Sequence, residues 1–354
     1  METMEQQKII VTGGDGFLGT YVVQMLQYCG VRNIFIPRSR HYDLTQIDHT
    51  NRLIRDYPPD QIIHLASTCP KADGAAKVPS YENHPDVTIW RNLIEVATNN
   101  HIPKIITVVD YHAYPAWCHH PYQESVVDDM TKWTEHQAQH SYQQLLKEII
   151  QPRQQPENQS KTPSAVGCPH PTECKISVYI TSEIYGPGDH FHPNGRRLLS
   201  STIRLFSDTK EQSEHQVMVP GHPDDELDFL YALDAAEGIV HGIKNPLGIE
   251  IMNLASGSLS RWGIVVEQIA SYLDYHGEFH WTEPERPPQY RSLRTENAKD
   301  TIGFYPSTDL GSGLKETIQW FCTHRRFILE NEADMSIPWI DSHTKTKESH
   351  PKTT

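Results

Sequence analysis

The feature that most constrains this chain is a glycine-rich segment near its start, IIVTGGDGFLGTYVVQML, which spans residues 9–26. Gly13, Gly16 and Gly19 recur every third residue, after a β-branched run and at the start of a stretch with helical spacing of apolar residues. Glycine permits a tight turn and close approach of the backbone to a pyrophosphate, whose charge the helix N-terminus stabilises. The segment therefore predicts a dinucleotide-binding turn, with a purely structural turn as the alternative.

Short β-branched runs alternate with longer amphipathic stretches through the first two thirds of the chain, the pattern of a parallel sheet covered by helices. We therefore predict an α/β fold, a Rossmann-type doubly wound parallel sheet with a smaller C-terminal substrate lobe. The predicted strands are 8–12, 33–36, 61–64, 104–109 and 175–180.

The predicted organisation has three parts. Residues 1–184 form the cofactor domain, to which a strand near 248–256 returns, residues 185–330 form most of the lobe, and 331–354 form a flexible tail. Residues 151–174 contain five prolines and almost no apolar periodicity, which indicates a long exposed loop.

The charge balance excludes several classes of partner. Acidic residues outnumber basic ones 45 to 31, for a formal charge of -14, which argues against nucleic acid. We expect no export signal and no membrane span, hence a cytoplasmic protein. The six cysteines include no CxxC pair, which indicates that the thiols are reduced. The segments WCHHPY and CPHPTEC could supply metal ligands, but neither is accompanied by a second pair at zinc spacing, so no metal site is expected.

The second predicted strand is followed by Arg38, Ser39 and Arg40, where an NAD-specific site usually offers an acidic residue to the ribose hydroxyls. Arginine and serine would instead hold a 2′-phosphate, so the pattern favours NADP(H) over NAD(H). The alternative is a solvated basic turn. Asp43 and Leu44 are expected to border the adenine, and IIHLAS at 62–67 is expected to line the cofactor.

These motifs together resemble an extended short-chain dehydrogenase/reductase of the nucleotide-sugar epimerase and dehydratase group, most similar to its GDP-L-fucose synthase branch. The resemblance covers about residues 8–325, through VTGGDGFLG, PRSRHYDL, IIHLAS, YPAW, EIYGPGDHFHPNG, LDFLYALDAAEGI and MNLASGS. It implies a homodimer formed by helices containing residues 90–98 and 142–150. The cofactor contacts that it implies are Gly13, Gly16, Phe17, Leu18, Gly19, Arg38, Ser39, Arg40, Asp43, Leu44, His64, Leu65 and Ala66.

The fourth strand ends differently from the family pattern. With Tyr114 and Pro115 aligned to the family's YP pair, Asp110 and Tyr111 stand where serines are expected, and His112 stands where the fucose synthases have cysteine. A carboxylate thus replaces a hydroxyl donor. Asp110 and Tyr111 remain candidate catalytic residues in altered roles.

The family's acid/base pair is a tyrosine with a lysine four residues later on one helix. In EHQAQHSYQQLLKEIIQ, the position four after Tyr142 is Leu146, and the position four after His140 is Gln144. Neither register supplies the lysine. Histidine exchanges protons near neutral pH, so His140 and Tyr142 are candidate acid/base residues; the alternative is a polar face without a catalytic role.

The resemblance also places basic residues in the lobe. Arg197 aligns near the position of the family's second acid, a histidine, and Leu227 stands where an arginine is expected. Arg204, Arg286 and Arg291 fall where relatives contact nucleotide phosphates, although solvated side chains are an equal alternative.

Two functions follow from this pattern. The first is an epimerase or reductase that acts on a nucleotide-activated sugar with non-standard acid/base residues. The second is a pseudoenzyme, a cofactor- or nucleotide-sugar-binding subunit that regulates or assembles with an enzyme partner, because the Ser, Tyr-x-x-x-Lys and lobe Arg positions are all unmatched. The sequence leaves both open.

Overall fold

The computed structural model describes residues 4–67, 84–115, 117–128, 143, 146, 174–193, 197–244 and 250–331. Its central sheet contains six parallel strands in the order β2-β1-β3-β4-β5-β9. They are β1 (Lys8–Thr12), β2 (Asn33–Phe35), β3 (Gln61–His64), β4 (Lys104–Asp110), β5 (Lys175–Thr181) and β9 (Glu250–Leu254). This sheet confirms the predicted α/β fold class.

Helices cover both faces of the sheet. Alternate residues of β1 point to opposite faces, so that Ile10 packs against the helices α2 and α3, while Ile9 and Val11 pack against α1 and α6. Both faces of the sheet are therefore buried, as a parallel sheet requires. These helices are α1 (Phe17–Tyr28), α2 (Ile47–Asp56), α3 (Pro85–Asn99) and α6 (Ala232–Ile243).

The lobe is built around one strand. β8 (Glu226–Tyr231) pairs with β6 (Glu183–Tyr185), β10 (Leu259–Arg261) and β12 (Tyr290–Arg291), while β7 (Gln216–Val219) pairs with β11 (Glu278–Trp281). The remaining described helices are α4 (Ser125–Asp128), α5 (Leu198–Glu211), α7 (Trp262–Tyr272), α8 (Glu296–Ile302) and α9 (Leu310–Glu330).

The lobe has its own core, in which Trp262, Phe206 and Phe321 are fully buried. β6 follows β5 after Ser182 alone, so the chain passes directly from the central sheet into the lobe sheet. Groups at the carboxyl ends of β4 and β5 therefore lie next to groups of the lobe. Within the described ranges, no helix is both long and apolar enough to cross a membrane.

Candidate cofactor and substrate site

The glycine-rich segment forms a tight turn between β1 and α1. Gly13 has φ +72°, and a Cβ there would lie 2.6 Å from the backbone nitrogen of Ala66, which follows β3. Gly16 donates its N–H to the Gly13 carbonyl at 3.0 Å and is the N-cap of α1. A Cβ on Gly19 would collide with the Gly13 carbonyl oxygen. The glycines thus allow three backbone segments to meet where a pyrophosphate would approach, so the turn fits a dinucleotide.

Arg38, just beyond β2, reaches back to this turn. Its guanidinium forms an ion pair with Asp15 of the glycine-rich segment. Burial raises the pKa of the Asp15 carboxyl, and Arg38 opposes that shift. Arg40 instead donates to the His41 ring at 3.2 Å, and Ser39 is exposed. Of the three predicted phosphate-binding side chains, Arg38 has a contact with the glycine turn.

His64 ends β3 inside the core. Its ring is only 2% exposed, its Nδ1 lies 2.6 Å from the Thr12 hydroxyl, and it packs edge-on against Trp90. Burial lowers the pKa of His64 to about 4, so the ring is neutral at pH 7. Leu65 continues the strand by donating its N–H to the Thr12 carbonyl at 3.0 Å. His64 therefore supports the segment beside the glycine turn from within the core.

Asp43 and Leu44, which were predicted to border the adenine, form a local turn. The Asp43 carboxylate accepts from the backbone N–H and the hydroxyl of Thr45, at 3.0 and 2.7 Å. Leu44 is buried, and its carbonyl accepts from the Asn92 amide at 2.8 Å. This turn is held by hydrogen bonds within it and from Asn92 of α3.

At the end of β4, Tyr111 enters a network that joins the sheet to the lobe. Its hydroxyl donates to the Glu183 carboxylate at 2.9 Å and accepts from the Arg291 guanidinium, which also lies over the Tyr111 ring at 5.0 Å. Burial and the neighbouring Glu183 raise the pKa of the Tyr111 phenol. Tyr111 is therefore a protonated donor fixed between a carboxylate and a guanidinium.

Arg197 connects the same network to the cofactor turn. Its guanidinium lies 5.6 Å from the centre of the Phe17 ring, at the start of α1, and donates to the Ile184 carbonyl at 3.2 Å. It also lies 3.8 Å from the Asp189 carboxylate. Burial raises the pKa of Glu183, and Arg197 is the largest influence in the opposite direction. Arg197 thus lies over Phe17 at the start of the cofactor helix and also opposes the rise in the pKa of Glu183.

The other two predicted substrate arginines have acidic partners of their own. Arg204 is buried on α5 and pairs with Asp208 at 2.5 Å, a carboxylate that also accepts from Arg325 at 2.7 Å. Arg286 makes two contacts with Asp225, at 2.7 and 2.5 Å. Each of these arginines is thus paired with a carboxylate of the lobe.

The candidate residues His140 and Tyr142 lie outside the described residues. Gln143 is described, and its amide donates to the carbonyls of His112 and Tyr114, both at 3.2 Å. It thereby holds the turn that follows β4. The part of the chain that the structure describes contains no group of three or more His, Cys, Asp or Glu side chains suited to a metal.

Sequence reasoning missed Glu183, Asp15 and Gln143. Glu183 stands two residues before Tyr185 in the EIYGPGDH motif, just after the predicted strand 175–180. Its position could therefore have been predicted to lie near the end of that strand. Asp15 lies within the glycine-rich segment itself, where an acid beside a pyrophosphate site is conspicuous. Nothing in the sequence indicates that Gln143 would bind carbonyls about 30 residues earlier in the chain.

The fold and this site define a nucleotide-cofactor-binding α/β protein with an appended lobe. The chain belongs to the NAD dependent epimerase/dehydratase family, whose model matches residues 9–255. It is 24% identical to GDP-L-fucose synthase 1 of Arabidopsis thaliana over 321 residues, which cover 89% of this chain and 93% of that one. It is 22% identical to GDP-L-fucose synthase of Escherichia coli (strain K12) over 337 residues, which cover 90% and 97%.

Solved structures show the same fold. A GDP-L-fucose synthetase from Naegleria fowleri bound to NADP superposes with a TM-score of 0.71 at 18% identity, over 91% of this chain and 94% of that one. GDP-mannoheptose C4 reductase from Campylobacter jejuni with NADP bound gives 0.70 at 18% identity, over 91% and 99%. The comparisons confirm the predicted resemblance to an extended short-chain dehydrogenase/reductase of the GDP-L-fucose synthase type.

Proposed function

We propose that this protein binds NADP(H) and acts on the carbonyl group of a GDP-linked keto sugar as an epimerase or reductase. The observation that carries the proposal is the position of Arg197, whose guanidinium lies over the Phe17 ring of the cofactor helix and donates to the carbonyl of Ile184 in the lobe strand β6. Arg197 thereby joins the cofactor helix to the lobe. Relatives named for GDP-L-fucose synthesis, and neighbours solved with NADP, support this choice of substrate and cofactor.

The cofactor half of the proposal depends on the glycine turn and the residues after β2. The backbone of Gly13, Gly16 and Gly19 would receive the pyrophosphate, and Arg38, with Ser39 and Arg40 beside it, would bind the 2′-phosphate. When bound, NADPH supplies a hydride to a carbonyl carbon. Asp15 holds Arg38 at the turn until the phosphate competes for the guanidinium.

The substrate half depends on two cations. Arg291 contacts the Tyr111 hydroxyl, Arg197 opposes the rise in the pKa of Glu183, and both cations are suited to the diphosphate of a nucleotide sugar. Arg204 and Arg286 remain predicted phosphate contacts, but each would first have to leave its carboxylate. Asp110, Tyr111, His140 and Tyr142 remain the catalytic candidates, since no residue pair matches the family's Tyr-x-x-x-Lys spacing.

A second function is favoured by one observation. The Tyr111 hydroxyl is already bonded to Glu183 and Arg291, so the position of a catalytic donor is occupied by an internal network. Under this alternative the protein is a pseudoenzyme that binds NADP(H) or a nucleotide sugar and regulates a partner enzyme. A homodimer, as the family resemblance implies, is compatible with either function.

Calorimetric titration with NADPH, NADP and NADH tests the cofactor assignment. We expect NADPH to bind more tightly than NADH, and the double variant Arg38→Ala with Arg40→Ala to abolish that preference. Arg55→Ala, an exposed arginine on α2, is the matched control. An unchanged NADPH affinity in the double variant would refute the assignment.

Incubation with a panel of GDP-linked 4-keto sugars then separates the two functions. Consumption of NADPH, or formation of an epimerised sugar, supports the enzyme. Binding of NADPH without turnover of any keto sugar supports the pseudoenzyme. Failure to bind either NADPH or a GDP-sugar overturns both.

A further inference from the structure

Tyr21 of the cofactor helix α1 contacts the beginning of the lobe. It lies one turn after Phe17, and the two rings meet edge to face with centroids 5.8 Å apart. The Tyr21 hydroxyl donates to the carbonyl of Pro187 at 2.8 Å, although the two residues are 166 positions apart in the chain. Pro187 belongs to residues 186–189, the GPGD loop, which directly follows β6. Tyr21 therefore joins the cofactor helix to this loop.

The GPGD loop packs closely against the Tyr21 hydroxyl. A Cβ on Gly186 would lie 3.4 Å from that oxygen and 3.5 Å from the Tyr231 ring. The loop closes on itself where Asp189 donates its N–H to the Gly186 carbonyl at 3.2 Å. Burial and the negative charges of Glu316 and Asp189 raise the pKa of the Tyr21 phenol. The hydroxyl therefore keeps its proton and remains a hydrogen-bond donor to the loop.

The same loop holds Arg197 through Asp189. The buried Asp189 carboxylate accepts from the backbone N–H of His190 at 2.8 Å and from the Ser200 hydroxyl. These two bonds fix the carboxylate 3.8 Å from the Arg197 guanidinium. Arg197 in turn lies over the Phe17 ring. The contacts thus form a closed ring, from the cofactor helix through the loop to Arg197 and back to the helix.

The position of Arg197 depends on two parts of the chain keeping their separation. Its partners Ile184 and Asp189 stand on either side of the GPGD loop, whereas Phe17 stands on α1. The contacts to Asp189 and Phe17 are longer than hydrogen bonds, at 3.8 and 5.6 Å, and hold the guanidinium less strictly. The 2.8 Å bond from Tyr21 fixes the loop against the helix, and with it the place of the guanidinium.

We propose that Tyr21 is a positioning residue for nucleotide-sugar binding, which holds the GPGD loop against α1 and so aligns Arg197 with the diphosphate of the ligand. This inference rests on the proposed function, because it requires Arg197 to bind that diphosphate. Tyr21 acts through Arg197, so removal of its hydroxyl affects the nucleotide sugar. Binding of the cofactor pyrophosphate depends on the glycine turn and does not require this hydroxyl.

The test is calorimetric titration of the full chain with GDP, as the probe for the diphosphate, and separately with NADPH. Tyr21→Phe keeps the ring against Phe17 and removes the hydroxyl alone. We expect it to weaken GDP binding by about 2- to 10-fold, the affinity equivalent of one hydrogen bond. The NADPH affinity should stay within about twofold of wild type, which also shows that the variant is folded.

A double-mutant cycle shows whether the effect passes through Arg197. Arg197→Ala alone should weaken GDP binding. In that background, adding Tyr21→Phe should change the GDP affinity by less than about twofold, because the side chain that it positions is gone. A residue that only stabilises the fold would weaken GDP binding equally in both backgrounds.

The chain offers a matched control in Tyr231, whose ring borders the same loop. The Tyr231 hydroxyl donates to the Glu316 carboxylate of α9 at 2.7 Å. Tyr231→Phe therefore removes a hydrogen bond of similar length from the same cluster, but not the bond between α1 and the loop. It should bind GDP as tightly as wild type, while its free energy of unfolding in urea should decrease.

The outcomes distinguish this inference from the proposed function. If Arg197→Ala weakens GDP binding but Tyr21→Phe does not, the inference is overturned and the proposed function stands. The inference is also overturned if Tyr21→Phe weakens GDP and NADPH binding alike, or weakens GDP binding equally with and without Arg197. If wild type binds NADPH but not GDP, the inference and the proposed substrate class are both wrong. A loss of GDP affinity in Tyr21→Phe that disappears in the Arg197→Ala background supports the inference.

Discussion

Acidification should destabilise this protein in part through His64, which lies beneath the cofactor turn. Burial lowers the pKa of His64 from 6.5 to about 4 in the folded chain. Below about pH 6.5 the unfolded chain therefore gains a proton on His64 that the folded chain excludes. The free energy of unfolding is highest above that pH and decreases as the pH falls toward 4. Each pH unit within this window costs about 1.4 kcal/mol, so lowering the pH from 7 to 5 should cost about 2 kcal/mol from this residue.

The variant His64→Gln isolates this contribution. Glutamine keeps a polar group near the Thr12 hydroxyl but does not titrate, so the free energy of unfolding should depend less on pH in the variant than in wild type. Urea denaturation followed by circular dichroism at pH 7, 6 and 5 measures both slopes. Their difference removes the contribution of carboxyl groups that titrate in the same range.

The exposed histidine His276 provides the control. His276→Gln should retain the wild-type slope, because its ring is in solvent in both states. If wild type and His64→Gln lose the same free energy of unfolding between pH 7 and pH 5, the buried imidazole is not the origin of the pH dependence, and the reasoning is wrong.

Three further substitutions test other parts of the site. Asp15→Asn removes the carboxylate that binds Arg38. Because such a partly exposed ion pair is worth about 0.2–1 kcal/mol, calorimetry should show the affinity for NADPH rising by up to about fivefold. Weaker binding of NADPH would contradict the idea that Asp15 competes with the phosphate for Arg38. Gly19→Ala places a methyl group against a loop carbonyl and should weaken NADPH binding by about tenfold or more in the same assay. Tyr114→Phe removes the buried 2.7 Å hydrogen bond to Asn253 and should lower the free energy of unfolding by about 1–3 kcal/mol in urea.

The central sheet was predictable because its signals are local. Each strand is a short β-branched run, and the predicted bounds 8–12 and 61–64 coincide with β1 and β3. The predicted strand 104–109 is one residue shorter than β4. Asp110 was left out because its polar side chain ends the apolar run, although its backbone still pairs with Thr181 of β5. The glycine turn was predictable for the same reason, since all of its parts lie within one short segment.

The Tyr111 network was not predictable, because its contacts join distant parts of the chain. Glu183 lies 72 residues from Tyr111, and Arg291 lies 180 residues away. Sequence spacing does not predict contacts between residues so far apart. The family alignment identifies Tyr111 as a candidate catalytic residue but does not identify the side chains that contact it. Arg204 and Arg291 looked equivalent in the sequence, yet one pairs with Asp208 on its own helix and the other reaches the end of β4.

Under the proposed function, the arrangement of charges at the site would link ligand binding to protonation of Glu183. Arg197 and Arg291 both favour the ionised form of Glu183, while burial favours its protonated form. A nucleotide diphosphate that binds these arginines competes with Glu183 for their positive charge. If the two cations turned toward such a ligand, the buried carboxylate would lose the influence that opposes its protonation, and proton uptake by Glu183 would become more favourable. A protonated Glu183 would not repel the incoming diphosphate, so the carboxylate that binds the Tyr111 hydroxyl need not oppose the substrate. The same coupling is expected for an enzyme and for a nucleotide-sugar-binding subunit, provided that Arg197 and Arg291 bind the diphosphate as proposed.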